Sequence, residues 1–270
     1  MPKTLRDVKI EILAHDSPER ERRRGTAQSE EKLAFGERCL VATIRMNVLG
    51  AHIVTALCKE KAVVGVPPLK SIGVVLCDVP RPDPYRPEDS RGWAEFDVPA
   101  PGGRLGFLDT PVEREALGRV HLEAAEAALS ALRTLDGFPV AVFEQACRRF
   151  EKDAFRIWLN AGSKTVPGTR LKGTVAVEVD PAQTTRWLRL SHRGKDLATI
   201  ALGRRDIPDF TASRFFNGVT LDGTVVTVGG NPYHSFLPDR VPPIWPPETV
   251  DLRDHPDVLA LAREKGWIAP

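Results

Sequence analysis

The period of hydrophobic positions changes several times along the chain, and each change marks a new element. Val8, Ile10 and Ile12 recur at every second position within Arg6–Ala14, which predicts a first strand. His15 to Arg38 is strongly polar, with Pro-Glu-Arg-Glu-Arg-Arg-Arg-Gly at 18–25 and Ser-Glu-Glu-Lys at 29–32, and reads as an exposed loop or short helix. Leu40, Ala42, Ile44, Met46 and Val48 then alternate with Val41, Thr43, Arg45 and Asn47, predicting a strand over Cys39–Val48. Ala51–Val66 and Ile72–Val79 are rich in β-branched residues and bounded by Gly50, Pro67-Pro68 and Pro80, as further strands would be. Ala51–Lys61 is also open to a helix.

Six prolines from Pro80 to Pro101 oppose regular structure and predict a long surface excursion. Thr110-Pro111-Val112-Glu113 then supplies a capping hydroxyl, a proline at the first helical position and a glutamate three residues on. The helix it opens has Leu117, Val120, Ala124, Ala128 and Leu132 on one face and Gly137 as a stop. A second helix is predicted over Pro139–Ala161, with Phe143, Cys147, Phe150, Ala154 and Ile157 at helical spacing and Gly162 at its end; its first residues are open to a strand. From Leu171 the period becomes two, through Thr174–Val179, Arg186–Ser191 and Leu197–Leu202, as in an antiparallel meander. Asp222-Gly223 between Val219–Leu221 and Thr224–Val226 marks a tight hairpin, because it supplies the positive φ angles of a primed turn. Six prolines between Asn231 and Pro247 predict a wrapping or extended tail before a last helix near Pro256–Lys265.

Blocks of strands and helices, without regular alternation, predict an α+β fold: a β-rich N-terminal region, a central helical pair and a C-terminal antiparallel β-meander. The expected division is 1–101, β-rich with the Pro-rich excursion, and 102–270, the helical pair with the sheet and tail, or else one composite domain.

Composition narrows this picture. At 270 residues with 42% hydrophobic and 27% charged side chains, the chain can bury a core and solvate its surface. A net charge of only +2 is far from that of a protein coating nucleic acid non-specifically, so any basic site is local. The longest nearly apolar stretch, Val48–Cys58, is too short for a bilayer of about 30 Å, so no transmembrane helix is expected. The N-terminus reaches charge at once, without the apolar run of a secretory signal, which favours a cytoplasmic location. Cys39, Cys58, Cys77 and Cys147 form no Cys-x-x-Cys pair and are read as reduced and structural. Cys147 alone is followed by two cations, Arg148 and Arg149, of the kind that activate a thiol.

The familiar catalytic spacings fail in turn. Gly162-Ser163-Lys164-Thr165 lacks the glycines and preceding strand of a phosphate loop, and Gly102-Gly103-Arg104-Leu105-Gly106 is too irregular for a dinucleotide fingerprint. No Gly-x-Ser-x-Gly occurs, and Ser29-Glu-Glu-Lys32 matches Ser-x-x-Lys only within a charged loop. His15, His52, His121, His192, His234 and His255 contain no metal-binding pair, so neither metal nor cofactor is expected. His121 with Glu113, Glu123 and Glu126, or the pairs Glu95-x-Asp97 and Glu178-x-Asp180, would act only through tertiary convergence.

Charge distribution is the informative feature. Lys164–Arg205 holds nine Lys/Arg against three Asp/Glu, whereas Asp78–Glu126 holds six Arg against eleven Asp/Glu. Strand alternation puts Trp187 and Arg189 on one face and Leu188 and Leu190 on the other, with Arg186 near its edge; Arg193 and Lys195 form a basic turn beside His192. Arg186, Trp187, Arg189, His192, Arg193 and Lys195 are therefore the candidate partner-binding residues, although edge cations also serve simply to block sheet aggregation. The expected function is a non-catalytic cytoplasmic protein-binding module for an acidic partner surface, most concretely a toxin-neutralising immunity protein. An enzyme acting on a phosphodiester or other anionic substrate through Arg189, His192, Arg193 and Lys195, and a nucleic-acid-associated scaffold, are the alternatives.

Overall fold

The computed structural model describes residues 5, 7–12, 30–61, 63–65, 68–80, 92–210, 216, 218–229 and 247–269. The chain is α+β, and it divides into two compact units, Met1–Ile157 with Asp180–Ala182, and Trp158–Val179 with Gln183–Pro270. The division at Ile157/Trp158 differs from the 101/102 boundary drawn from proline content. The basic run at 18–25, most of the polar segment at 15–38, the prolines at 82–87 and those of the 231–247 tail up to Pro246 lie outside the described residues.

The N-terminal unit is built on a parallel sheet ordered β1-β2-β3, with β1 Asp7–Ile12, β2 Ser71–Cys77 and β3 Trp93–Pro99. Parallel neighbours need a crossover between them, and α1, Glu30–Glu60, fills the first. This corrects the predicted strand at Cys39–Val48 and settles Ala51–Lys61 as helix. Leu40 is 60% exposed while Met46, Leu49, Ile53 and Leu57 are buried at helical steps; the apparent alternation of 40–48 came from a helix apolar on more than one side. α1 packs on β1 and on the helix Val140–Lys152. Its segment Ala34–Glu60 spans 27 residues and contains an 18-residue window of mean hydropathy 1.5, 39% of it buried, long and apolar enough by composition to cross a membrane. The apolar run is longer than the Val48–Cys58 stretch, because Arg45 and Asn47 interrupt it without ending the helix, and Met46, Leu49, Ile53 and Leu57 are buried within the protein.

β3 corrects a second expectation. Trp93–Val98 lies between the prolines, and Ala94, Glu95, Phe96 and Val98 are buried rather than part of a surface excursion. β2 is buried from Ile72 to Cys77, the signature of a parallel strand covered on both faces.

Among the described residues of this unit three further helices follow: α2 Gly103–Leu108, α3 Arg114–Leu132 and α4 Val140–Lys152. The Thr110 cap is not used as predicted. α3 begins at Arg114 after Glu113, without a side-chain cap, and the Thr110 hydroxyl donates instead to the Gly106 carbonyl at 3.3 Å. α4 stops nine residues before the predicted end. Ala154 takes φ 52 there, and the Phe155 amide donates to the Phe150 carbonyl at 2.9 Å while the Ala154 amide donates to Glu151 at 2.9 Å. This bond pair is a Schellman motif, whose characteristic apolar contact is the edge-on pair of Phe150 and Phe155 at 5.3 Å.

In the C-terminal unit, β4 Ile157–Thr165, β5 Leu171–Val179, β6 Thr184–His192 and β7 Lys195–Arg205 form a sheet in that order. Residues 157–161, predicted as the end of a helix, begin β4. β8 Gly218–Asp222, β9 Val225–Gly229 and β10 Glu248–Asp251 form an antiparallel sheet ordered β10-β9-β8; the expected hairpin forms, but Asp222 pairs with Val225 and the turn falls on Gly223-Thr224, with Gly223 at φ 52. The core joins one face of each sheet: Leu171, Val175, Leu188 and Leu190 meet Val219, Val226, Val228 and Val250. α5, Pro256–Glu264, adds Val258 and Ala262, matching the predicted last helix.

Candidate functional site

The β5–β6 register pairs Ala176 with Trp187, Thr174 with Arg189 and Lys172 with Ser191, and the β6–β7 register pairs Trp187 with Ala201 and Arg189 with Thr199. Since Leu188 and Leu190 face the core, these side chains occupy the opposite, outer face. Trp187 is half-buried there, its indole Nε1 donating to Glu178 Oε2 at 3.1 Å. The ring of Trp158, 53% exposed, lies 6.4 Å from it at 45°. Both residues of this aromatic pair thus sit on one rigid face, and the single polar atom of the inner indole is satisfied. Arg189 Nε approaches Asp196 Oδ2 at 3.8 Å, but both side chains are more than half exposed and such a pair contributes only about 0–1 kcal/mol. Its guanidinium therefore exchanges partners at little cost.

The turn after β6 consists of Arg193 at φ 50 and Gly194 at φ 82, both positive as a two-residue primed hairpin requires, with His192 paired to Lys195. Arg193 and Lys195 are exposed. The His192 ring packs edge-on against Trp267, with centroids 5.3 Å apart at 73°. Trp267 is delivered by the end of α5, where Gly266 takes φ 65 and the Trp267 amide donates to the Ala262 carbonyl at 2.9 Å.

Arg186 points the other way. Its side chain is fully buried on the core side, with Nη1 2.8 Å from Glu248 Oε2 of β10. Burial lowers the guanidinium pKa and raises that of Glu248, while each charge and the Gly203 amide, which donates to Glu248, pull in the opposite sense. Arg186 is thus a structural link between the two sheets and is removed from the partner-binding set, because a fully buried side chain cannot meet a partner.

The structure adds residues that the sequence reading missed. Thr165, Thr169, Arg170, Lys172, Ser191 and Arg193 line a cleft of about 390 Å³ at the end of this sheet, three cations and three hydroxyls with no carboxylate. Arg170 and Lys172 come from the β4–β5 hairpin, whose turn is held by the Thr169 hydroxyl donating to Val166 at 2.8 Å and accepting from the Leu171 amide at 3.0 Å. The Pro167-Gly168 dipeptide beside these cations was the available signal. Lys172 and Ser191 are neighbours across β5 and β6, so the cleft continues the face that carries Trp187 and Arg189.

The residues of the enzymatic alternative are distributed over both units. Glu95 and Asp97 lie on β3 and His121 on α3 of the N-terminal unit, whereas His192 and Glu178 belong to the C-terminal unit; Glu95 and Glu178 are buried rather than surface carboxylates. His15 and His234 lie outside the described residues. Among the described residues no group of three or more His, Cys, Asp or Glu forms a metal-binding cluster. Cys147 is not activated: burial, reinforced by Glu126, pushes its thiol up to about 12 despite Arg148.

His121 is fully buried, and burial together with the Arg45 charge lowers its pKa to about 3. The unfolded chain binds this proton below about pH 6.5, the folded unit only near 3, so unfolding takes up a proton between them. Stability is therefore expected to fall as pH drops through that window, by on the order of 4 kcal/mol from this group alone. Urea unfolding of the wild type and His121→Phe across the same range checks this: the variant's acid slope should be shallower, and identical slopes would refute it.

Comparison with protein-family models, with curated proteins and with solved structures finds no match for this chain.

Proposed function

We propose that the C-terminal unit is a non-catalytic, cytoplasmic binding module whose docking surface is the outer face of β4–β7, and that its partner is a protein with an acidic patch. The observation that carries this reading is the continuity of one rigid face, from the Trp158–Trp187 pair through Arg189 to the cationic cleft at Lys172, Arg170 and Arg193. Aromatic and arginine side chains on a preorganised surface are the usual anchors of a protein interface, since they bury large areas with little ordering cost. Surrounding cations speed encounter with an acidic partner and disfavour basic ones. The exposed Asp196 carboxylate on the same face favours a protein over a phosphate backbone, which it repels. A toxin-neutralising immunity protein, which covers a partner's active surface by shape and charge alone, is the most specific form of the proposal.

The test is affinity capture from the native cell extract at physiological salt, comparing the wild type with a folded Trp187→Ala, Arg189→Glu, Arg193→Glu variant. One stoichiometric acidic protein should be retained by the wild type, and its purified form should bind the variant about a hundredfold more weakly, the scale of losing one interface anchor and reversing two charges. Equal capture by both forms would reject this surface. Recovery of nucleic acid instead, with affinity falling steeply in salt, would replace the protein partner.

A further inference from the structure

A second cleft, of about 430 Å³, lies within the N-terminal unit between α1, α2 and α3. Arg38 and Arg45 reach it from one side of α1, Phe107 from α2, and Leu117 and His121 from α3. Residues 38 and 45 are two helical turns apart and 117 and 121 one turn, so each helix turns a single stripe toward the cleft.

Two of these side chains are poorly explained by folding alone. His121 is fully buried, stacked on Phe107 with ring centroids 6.2 Å apart at 16°, and neither of its ring nitrogens has a hydrogen-bond partner among the described residues. A phenyl ring would stack as well and leave nothing unsatisfied, so the imidazole calls for a polar ligand atom. Arg45, on the facing helix, has a buried Nε that likewise lacks an acceptor among the described residues. Its charge acts on His121, and burial works against that charge. Arg38 differs, because its guanidinium is held by the Asp109 carboxylate.

An anion would resolve both defects. It would accept from the Arg45 guanidinium, whose planar fork suits a carboxylate, and from the N–H that a neutral His121 carries on one ring nitrogen. Val41, Leu117 and the Phe107 ring give the cleft an apolar wall, the exposed Glu37 and Arg38 and the Thr110 hydroxyl complete its polar lining, and its volume matches small-molecule sites. We propose that this cleft binds a small organic carboxylate, with the acid group between Arg45 and His121 and an aliphatic or aromatic body against Phe107, Val41 and Leu117. Inorganic anions fill only the polar end and forgo the apolar wall. The site is separate from the sheet face of the C-terminal unit, and its failure would leave that proposal intact.

The experiment is calorimetric titration of the full chain with benzoate, octanoate and phenylpropanoate, each against the alcohol of the same skeleton. The side-chain nitrogen resonances of His121 are followed in parallel. At least one carboxylate should saturate one site and shift the His121 resonances, with its alcohol at least tenfold weaker. Arg45→Met should weaken that carboxylate at least tenfold, while Arg45→Lys retains part of the affinity. Saturation by none of the three, equal binding of the alcohol, unmoved His121 resonances or unchanged affinity in Arg45→Met would each overturn the proposal. Should Arg45→Met fail to fold, Arg45→Lys and the wild-type resonances decide it: Arg45→Lys binding as tightly as the wild type would then reject the planar-fork contact.

Discussion

Gly118→Ala is expected to destabilise the N-terminal unit by about 3 kcal/mol, the opposite of what the same change does in an exposed helix. In an open helix an added methyl group is worth up to about 1 kcal/mol in favour of folding, because glycine loses more backbone freedom. Here a Cβ on Gly118 would stand 2.2 Å from Cγ of Phe155 and 2.4 Å and 2.6 Å from the two Cδ atoms, so the ring has to move. It has nowhere easy to go. Phe155 sits at φ 60 directly after Ala154 at φ 52, two residues in a backbone region that side chains disfavour, and the packing of its ring offsets that strain. Displacing the ring therefore threatens the turn that ends α4 as well as the contact itself. Hydrogen exchange resolves the two units: protection in α3, α4 and β3 should fall together. Phe155→Leu removes part of the obstruction, so the double variant should lose less than the sum of the single losses. A neutral or stabilising Gly118→Ala would show that the close approach does not exist.

Removing one partner of the Arg186–Glu248 pair is expected to cost the C-terminal unit about 3–5 kcal/mol, whereas removing both costs far less. Glu248→Leu leaves a cation in a side chain of 0% exposure without its 2.8 Å carboxylate contact. Arg186→Met leaves the carboxylate, 13% exposed and accepting from the Gly203 amide, with a smaller penalty. The Arg186→Met, Glu248→Leu double variant replaces a desolvated pair by apolar volume between two sheets already lined with Val226, Val228 and Val250, and should recover most of the loss. Denaturant unfolding followed in this unit measures all three. A double variant as unstable as the worse single one would mean that the pair is needed for more than mutual neutralisation, for example to set the register of β10 against β7.

The outer sheet face proposed for binding and the buried pair show how alternation was both informative and incomplete. Arg186, Leu188 and Leu190 share a parity, and so do Trp187 and Arg189; sequence spacing was enough to separate the two sets. What it could not supply was the depth of Arg186, because that depends on β10, more than sixty residues further on, placing Glu248 opposite it. The cleft at Arg170, Lys172 and Arg193 was hidden for a similar reason, since its cations come from two hairpins that meet only when β5 pairs with β6.

The largest error, a strand in place of the first half of α1, has a local cause. Within a run apolar on nearly every side, periods of 2 and 3.6 both fit, and only the partners on either side decide between them. Neighbouring parallel strands β1 and β2 require a long crossover, and the chain between them supplies it as a helix. The early end of α4 is similar: its C′ residue is Ala154 rather than glycine, so the stop carries no local signal and is held by tertiary packing of Phe155.

The sequence by itself determined the α+β class, the period-two meander, the Asp222-Gly223 hairpin, the last helix and the basic polarity of 164–205. Each is written in neighbouring residues: turn chemistry, side-chain period or local charge. Tertiary structure alone decided that 30–60 is helical, that Trp93–Pro99 is a buried strand, that Arg186 is internal, and that His121 and Arg45 line one cleft. Those outcomes depend on burial against distant elements, and the free energy of burial belongs to contacts between segments rather than to any segment alone.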